Sequence, residues 1–157
     1  MYDLYTWATP NGRKVSIMLE ELGLPYKVHA VDITKDEQFD SEFLEISPNN
    51  KIPALVDTER NWTLMESGAI LVYLADQTGK LLPKEGRGRY EVLQWLMMQM
   101  GSVGPMLGQT HHFVKFNRGK SQYAEDRYLA ETNRIYGVLD KRLAKVGYLA
   151  ETYSIAD

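Results

Sequence analysis

Two short stretches carry the residues best suited to hold a ligand: Asn49-Asn50-Lys51-Ile52-Pro53-Ala54-Leu55-Val56 and Glu66-Ser67-Gly68-Ala69-Ile70. The first reads as a strand led by a proline. Proline has no N–H to give to a ladder, so it belongs at an edge, a strand's first residue or a bend. The peptide unit of Ile52 is then available to a ligand. In the second stretch Ser67 opens a helix, where backbone N–H groups and the positive end of the dipole attract a carboxylate. An exposed peptide edge beside an anion-binding helix start suits a small peptide with a free carboxylate.

The elements that must position these residues follow from patterning. Residues 2–6 read as a strand, closed by the turn signal Thr9-Pro10-Asn11-Gly12. Val15, Met18, Leu19 and Leu22 keep helical spacing and Gly23 marks a stop. Tyr26, Val28 and Ala30 alternate with Lys27 and His29 as a second strand. A charged segment over 36–46 reads as one irregular helix. Ala54–Val56 and Trp62–Met65 are short strands, and Ser67–Thr78 a helix with Ile70, Leu71 and Leu74 inward. The order β-α-β-α-β-β-α predicts a small mixed sheet with helices against it.

Beyond Gly79 the strand signal disappears. Tyr90, Leu93, Met97 and Met100 form a helical stripe, interrupted near Gly101 and Gly104-Pro105. A further helix over about 121–145 carries Thr132, Ile135, Tyr136, Leu139 and Leu143 on one face. The expected organisation is α+β: a domain over 1–80, a linker over 81–86, and an all-helical part over 87–157. Ser154-Ile155-Ala156-Asp157 has the form of a capping box, so the helical part reads as incomplete, stopping where another helix begins.

Composition narrows the function. The 157 residues are 44% hydrophobic and 25% charged, and 18 Lys plus Arg against 21 Asp plus Glu give a net charge of −3. With no basic block, neither nucleic acid nor an anionic membrane is an expected partner. The chain has no cysteine, so any thiol chemistry must use a sulfur brought by a ligand. Without cysteine or a signal-like start, a cytoplasmic location is expected. His111-His112 does not suggest a metal site, because adjacent helical residues diverge and no third ligand is apparent.

Taken together, Thr9-Pro10-Asn11-Gly12, Ile46–Pro53, Glu66-Ser67 and Gly104–Gln109 resemble the cytosolic glutathione transferase family, and within it the bacterial Nu class of disulfide-bond oxidoreductases. The resemblance covers essentially the whole chain. It implies a thioredoxin-like N-terminal domain followed by part of the family's helical domain, glutathione as co-substrate, no metal, and a homodimer. It implies a cis peptide bond before Pro53, with the Ile52 backbone pairing with the cysteinyl unit of glutathione. Glu66 and Ser67 match the pair that holds the γ-glutamyl end, and Gln38 and Lys51 match polar positions near the glycyl end. Arg134 matches an Arg associated with the ligand carboxylates.

Thr9 and Asn11 stand where other classes place the side chain that addresses the thiol, although Thr9-Pro10 also fits a helix cap and Asn11-Gly12 a turn. A thiol with an ordinary pKa of about 8.5 is only a few per cent ionised at pH 7, and lowering that by two units takes about 2.7 kcal/mol. Charge-assisted hydrogen bonds of about 1.5–3 kcal/mol make one or two donors sufficient. The expected function is glutathione-dependent thiol–disulfide exchange on a disulfide substrate. Two alternatives use the same site: conjugation of glutathione to an electrophilic small molecule, or a non-catalytic glutathione-binding or regulatory module.

Overall fold

A computed structural model describes residues 1–157. The chain divides into two compact units, Met1–Lys80 and Leu81–Asp157. The first has the expected order: β1 (Tyr2–Thr6), α1 (Pro10–Leu22), β2 (Tyr26–Ala30), α2 (Ser41–Ile46), β3 (Ala54–Asp57), β4 (Trp62–Met65) and α3 (Ser67–Thr78). The sheet runs β2-β1-β3-β4, with β1 parallel to β2 and antiparallel to β3, and β3 antiparallel to β4. This is the thioredoxin-like arrangement.

Local sequence explains the helix ends. Thr9 caps α1 through its side chain, which accepts the Gly12 N–H at 3.1 Å, and Pro10 takes the first turn, where a missing N–H costs nothing. Gly23 and Gly79 terminate α1 and α3 in the left-handed region that glycine enters most easily. Leu4 and Leu55 face each other across β1 and β3 and are fully buried. Above them α1 and α3 pack together, burying Val15, Leu19, Ile70 and Leu74. On the other face Val31, Phe43 and Ala54 form a second cluster with Tyr5, Ile46 and Ile52 against it.

Two details differ from the sequence reading. Segment 36–46 is not one helix: a 3-10 turn at Glu37–Phe39 is separated from α2 by the extended residue Asp40. In β2 the apolar alternation does not mark a buried face. Val28 is 55% exposed, because β2 is an edge strand paired only with β1. The half-buried residues are Tyr26 and His29, and the His29 ring stacks on Tyr5 at 4.5 Å.

The β3–β4 hairpin closes on a buried carboxylate. Asp57 accepts from the backbone N–H groups of Glu59 (3.0 Å) and Arg60 (3.2 Å), the Arg60 guanidinium (2.8 Å) and the Tyr73 hydroxyl. Burial alone raises a carboxyl pKa, but these four donors outweigh it and hold Asp57 at about 2. Burial and the same hydrogen bond push Tyr73 up to about 12.

The second unit is helical: α4 (Gly86–Met98), α5 (Gly104–Thr110) and α6 (Gln122–Leu143). Gly101 and Gly104-Pro105 do not break the rod between α4 and α5. The chain widens there into a π-helical turn over Gln99–Val103, and again over His111–Phe116 after α5. The expected stripe on α4 is displaced: Val92 and Leu96 are buried, whereas Tyr90 is 71% and Met97 54% exposed. On α6 Ile135 is buried as expected, but Tyr136 and Leu143 are exposed and Glu125 is buried, accepting the Gly119 N–H at 2.6 Å. Ser154 and Asp157 make the capping-box contact, with the Ser154 N–H 3.0 Å from Asp157 Oδ2. No helix is long and apolar enough to cross a membrane.

Candidate active site

Strand register brings the sequence candidates of the first unit to one edge of the sheet. Tyr5 pairs with Ala54 and Ala54 with Met65. The end of β1, the start of β3 and the end of β4 therefore lie side by side. The residues one step beyond the paired positions are Thr6, Pro53 and Glu66. Each leads into or out of a loop at that edge, and α1 and α3 both start there.

A cleft of about 180 Å³ opens at this edge, lined by Asn11, Ser47, Asn49, Lys51, Ile52, Pro53, Met65, Glu66 and Ser67. The Ile52–Pro53 peptide bond is cis. The loop before it is held from within: the Ser47 hydroxyl donates to the Lys51 carbonyl at 2.8 Å, and the Asn50 N–H to the Ser47 carbonyl at 2.8 Å. Ser47 is fully buried, so this anchor belongs to the core although the loop faces the cleft.

Glu66 takes the N-cap position of α3 and Ser67 is the first helical residue. Glu66 has φ 68° and ψ 114°, a region costly for a side chain with a Cβ, about 1–3 kcal/mol. Its carbonyl accepts the Ile70 N–H at 3.0 Å, and its carboxylate accepts from Asn49 Nδ2 at 3.1 Å. The bend turns the Glu66 side chain onto the cleft wall while Ser67, 5% exposed, lies at the base of the helix start. An anionic side chain and a positive dipole end thus stand one residue apart, suited to an ammonium and a carboxylate on neighbouring atoms.

Asn11 lies on the cleft wall in the first turn of α1. Thr9 is half-buried and does not line the cleft; its oxygen is occupied as the cap acceptor, an engagement compatible with its own O–H donating elsewhere. Gly12 permits the close approach of the start of α1 to the end of β1. A Cβ there would stand 2.4 Å from Thr6 Oγ1 and 2.4 Å from the Trp7 carbonyl oxygen.

Lys51 is exposed on the cleft's rim. Gln38 is not brought to the cleft: it lies in the 3-10 turn, its amide 3.4 Å from Asp36 Oδ1 and its Oε1 buried without a partner. Arg134 belongs to the second unit, on α6, where its guanidinium grips Glu131 at 2.7 and 2.8 Å. Hydrogen bonding in that pair raises the Arg134 pKa and lowers that of Glu131. His111 and His112 are engaged with aromatic rings, His111 stacking on Phe116 and His112 edge-on to Phe113.

Comparison with known proteins decides the family. Residues 4–83 match the glutathione S-transferase N-terminal domain. The disulfide-bond oxidoreductase YfcG of Escherichia coli is 52% identical over 100% of this chain and 76% of its own length. The chain belongs to the glutathione S-transferase family. YghU of the same organism, also a disulfide-bond oxidoreductase, is 41% identical over 98% of this chain but 57% of its own length. A glutathione transferase family member from Pseudomonas fluorescens, solved with two glutathione molecules bound, superposes with a TM-score of 0.95 at 49% identity, covering 99% of this chain and 72% of that one. A Pseudomonas putida glutathione transferase, with one glutathione disulfide per subunit, gives 0.93 at 48% identity over 99% and 70%.

In this member of the glutathione S-transferase family, sequence reasoning missed three residues that line the cleft, Ser47, Asn49 and Met65, and one outside it that touches a lining residue, Lys14. Ser47 and Asn49 stand in the motif that precedes Pro53, and only their hydrogen bonds reveal what they do. Met65 was visible as the last residue of a strand ending at the site. Lys14, three residues after Asn11, donates to its side chain at 2.9 Å.

Proposed function

We propose that this chain binds glutathione in the cleft beside Pro53 and uses the glutathione thiolate for thiol–disulfide exchange. The observation that carries the reading is a cleft lined together by the Ile52 and Pro53 segment, by Glu66 and by Ser67 at the start of α3. The Ile52 peptide unit pairs with the cysteinyl backbone. Glu66 takes the γ-glutamyl ammonium, and Ser67 with the first N–H groups of α3 takes the adjacent carboxylate. Lys51 serves the glycyl carboxylate from the rim.

The cysteinyl sulfur then lies toward the start of α1, where Asn11 and Thr9 supply neutral donors to the thiolate. This thiolate attacks one sulfur of a disulfide; the S–S bond breaks, and the departing sulfur leaves as a thiolate that takes a proton from solvent. A second glutathione thiolate attacks the mixed disulfide at the glutathione sulfur, releasing the other half of the substrate. Two glutathione thiols are oxidised to one disulfide while the substrate disulfide is reduced to two thiols. Because the chain has no cysteine, every sulfur in the exchange comes from a ligand. Names of relatives support this reading, since YfcG and YghU are disulfide-bond oxidoreductases.

The test is a pair of assays with glutathione, one on a small disulfide and one on an electrophilic aromatic halide, alongside direct measurement of glutathione binding. Disulfide turnover above the glutathione-only rate is expected, with weaker conjugation. Conjugation alone would replace the reading with transferase chemistry at the same site. Binding with no turnover in either assay would make the chain a glutathione-binding module.

A further inference from the structure

We propose that Lys14 is a positioning residue for Asn11, fixing its side-chain amide so that the NH₂ end is presented to the sulfur site. This rests on the thiolate role of Asn11 proposed above and adds a residue outside the cleft. Asn11 and Lys14 are three apart on α1, so they share a face of the first turn. Lys14 Nζ lies 2.9 Å from Asn11 Oδ1.

An ammonium donates and cannot accept. Only one of the two amide orientations therefore satisfies this contact: oxygen toward Lys14, NH₂ away from it. Asn11 is on the cleft wall, and the end left for the cleft is the donor end, the one a thiolate can use. Without Lys14 the amide could present either end, and the oxygen would repel a thiolate.

Lys14 is an expensive way to fill its position unless it does something. It is half-buried, and burial alone lowers its pKa to about 8. A partly desolvated ammonium is normally offset by a carboxylate, whereas this one has a neutral amide as its hydrogen-bond partner. It remains largely protonated at pH 7 and so also places positive charge behind the donor that faces the sulfur.

The experiment titrates the thiol of bound glutathione by its ultraviolet thiolate absorbance in the wild-type chain and in Lys14→Met, Lys14→Gln, Lys14→Arg and Asn11→Ala, with S-methylglutathione affinity as control. Lys14→Met is expected to raise the bound-thiol pKa by about one unit, an about threefold smaller thiolate fraction at pH 7 for a thiol lowered to about 6.5, with S-methylglutathione affinity unchanged. Lys14→Gln, which keeps a donor and loses the charge, should fall between, and Lys14→Arg should restore the wild-type titration. A Lys14→Met titration that matches wild type while Asn11→Ala shifts would overturn the Lys14 role alone. A parallel loss of S-methylglutathione affinity in Lys14→Met would overturn it too, exposing general damage to the site. Failure of the wild-type chain to bind glutathione would remove both this inference and the reading beneath it.

Discussion

Asn49 Nδ2 donates to Glu66 Oε1 at 3.1 Å, joining the loop before Pro53 to the residue that opens α3. Seventeen positions separate the two, yet antiparallel pairing of β3 with β4 makes them neighbours. The hydrogen bond engages one carboxylate oxygen on the cleft wall, and in the function proposed above the second oxygen takes the ligand's ammonium. Glu66→Gln keeps the size and removes the charge. Its glutathione affinity is expected to fall by about 1.5–3 kcal/mol, roughly 10- to 150-fold, the worth of a charge-assisted contact. Calorimetry with cysteinylglycine, which lacks the γ-glutamyl group, should show no such difference between wild type and variant.

Thr9 and Asn11 should separate by stability. Thr9→Ala removes the cap acceptor for the Gly12 N–H and is expected to lower unfolding free energy by about 1 kcal/mol, with Thr9→Ser restoring it. Asn11→Ala is exposed and outside the cap, so it should reduce turnover at neutral pH with little change in Tm. Chemical denaturation alongside kcat at pH 7 checks both.

Gly12→Ala drives a methyl to 2.4 Å from the Trp7 carbonyl oxygen, a backbone atom that a rotamer change cannot move aside. An overpacking cost of about 1–3 kcal/mol follows, and the start of α1, which carries Asn11, must shift to relieve it. Loss of Tm accompanied by a raised KM for glutathione is the expected signature.

Asp57 sets an acid limit on the first unit. Its folded pKa of about 2 lies below the ordinary aspartate value of 3.8. It therefore adds stability at pH above that value, and loses it as pH falls through the window from about 4 to about 2. The shift corresponds to about 2 kcal/mol. Tyr73→Phe removes one of the four donors, so acid unfolding followed by circular dichroism should move to higher pH in the variant.

Much of this fold was readable because punctuation residues act locally. Gly23 and Gly79 ended their helices, Thr9-Pro10 began one, and Pro53 with Ser67 marked both walls of the cleft. What escaped depended on neighbours distant in sequence. Val28 has the pattern of a buried strand residue, and only the strand order reveals that it lies on an open edge. Asp40 interrupts a helix that charge pattern alone reads as continuous. At the site, Lys14 looks like an ordinary surface lysine until its contact with Asn11 is seen, and Asn49 like a turn residue until Glu66 is placed beside it.

The two wide turns at Gln99–Val103 and His111–Phe116 have an effect on how this half of the molecule tolerates changes in length. The first amounts to one surplus residue between α4 and α5 in a continuous rod, and the second closes that rod at Phe116. Removing a single amino acid inside the first turn would tighten it to ordinary α geometry and leave α5 aimed as before. The same deletion within α4 or α5 would rotate everything after it by roughly a hundred degrees, given 3.6 residues per turn.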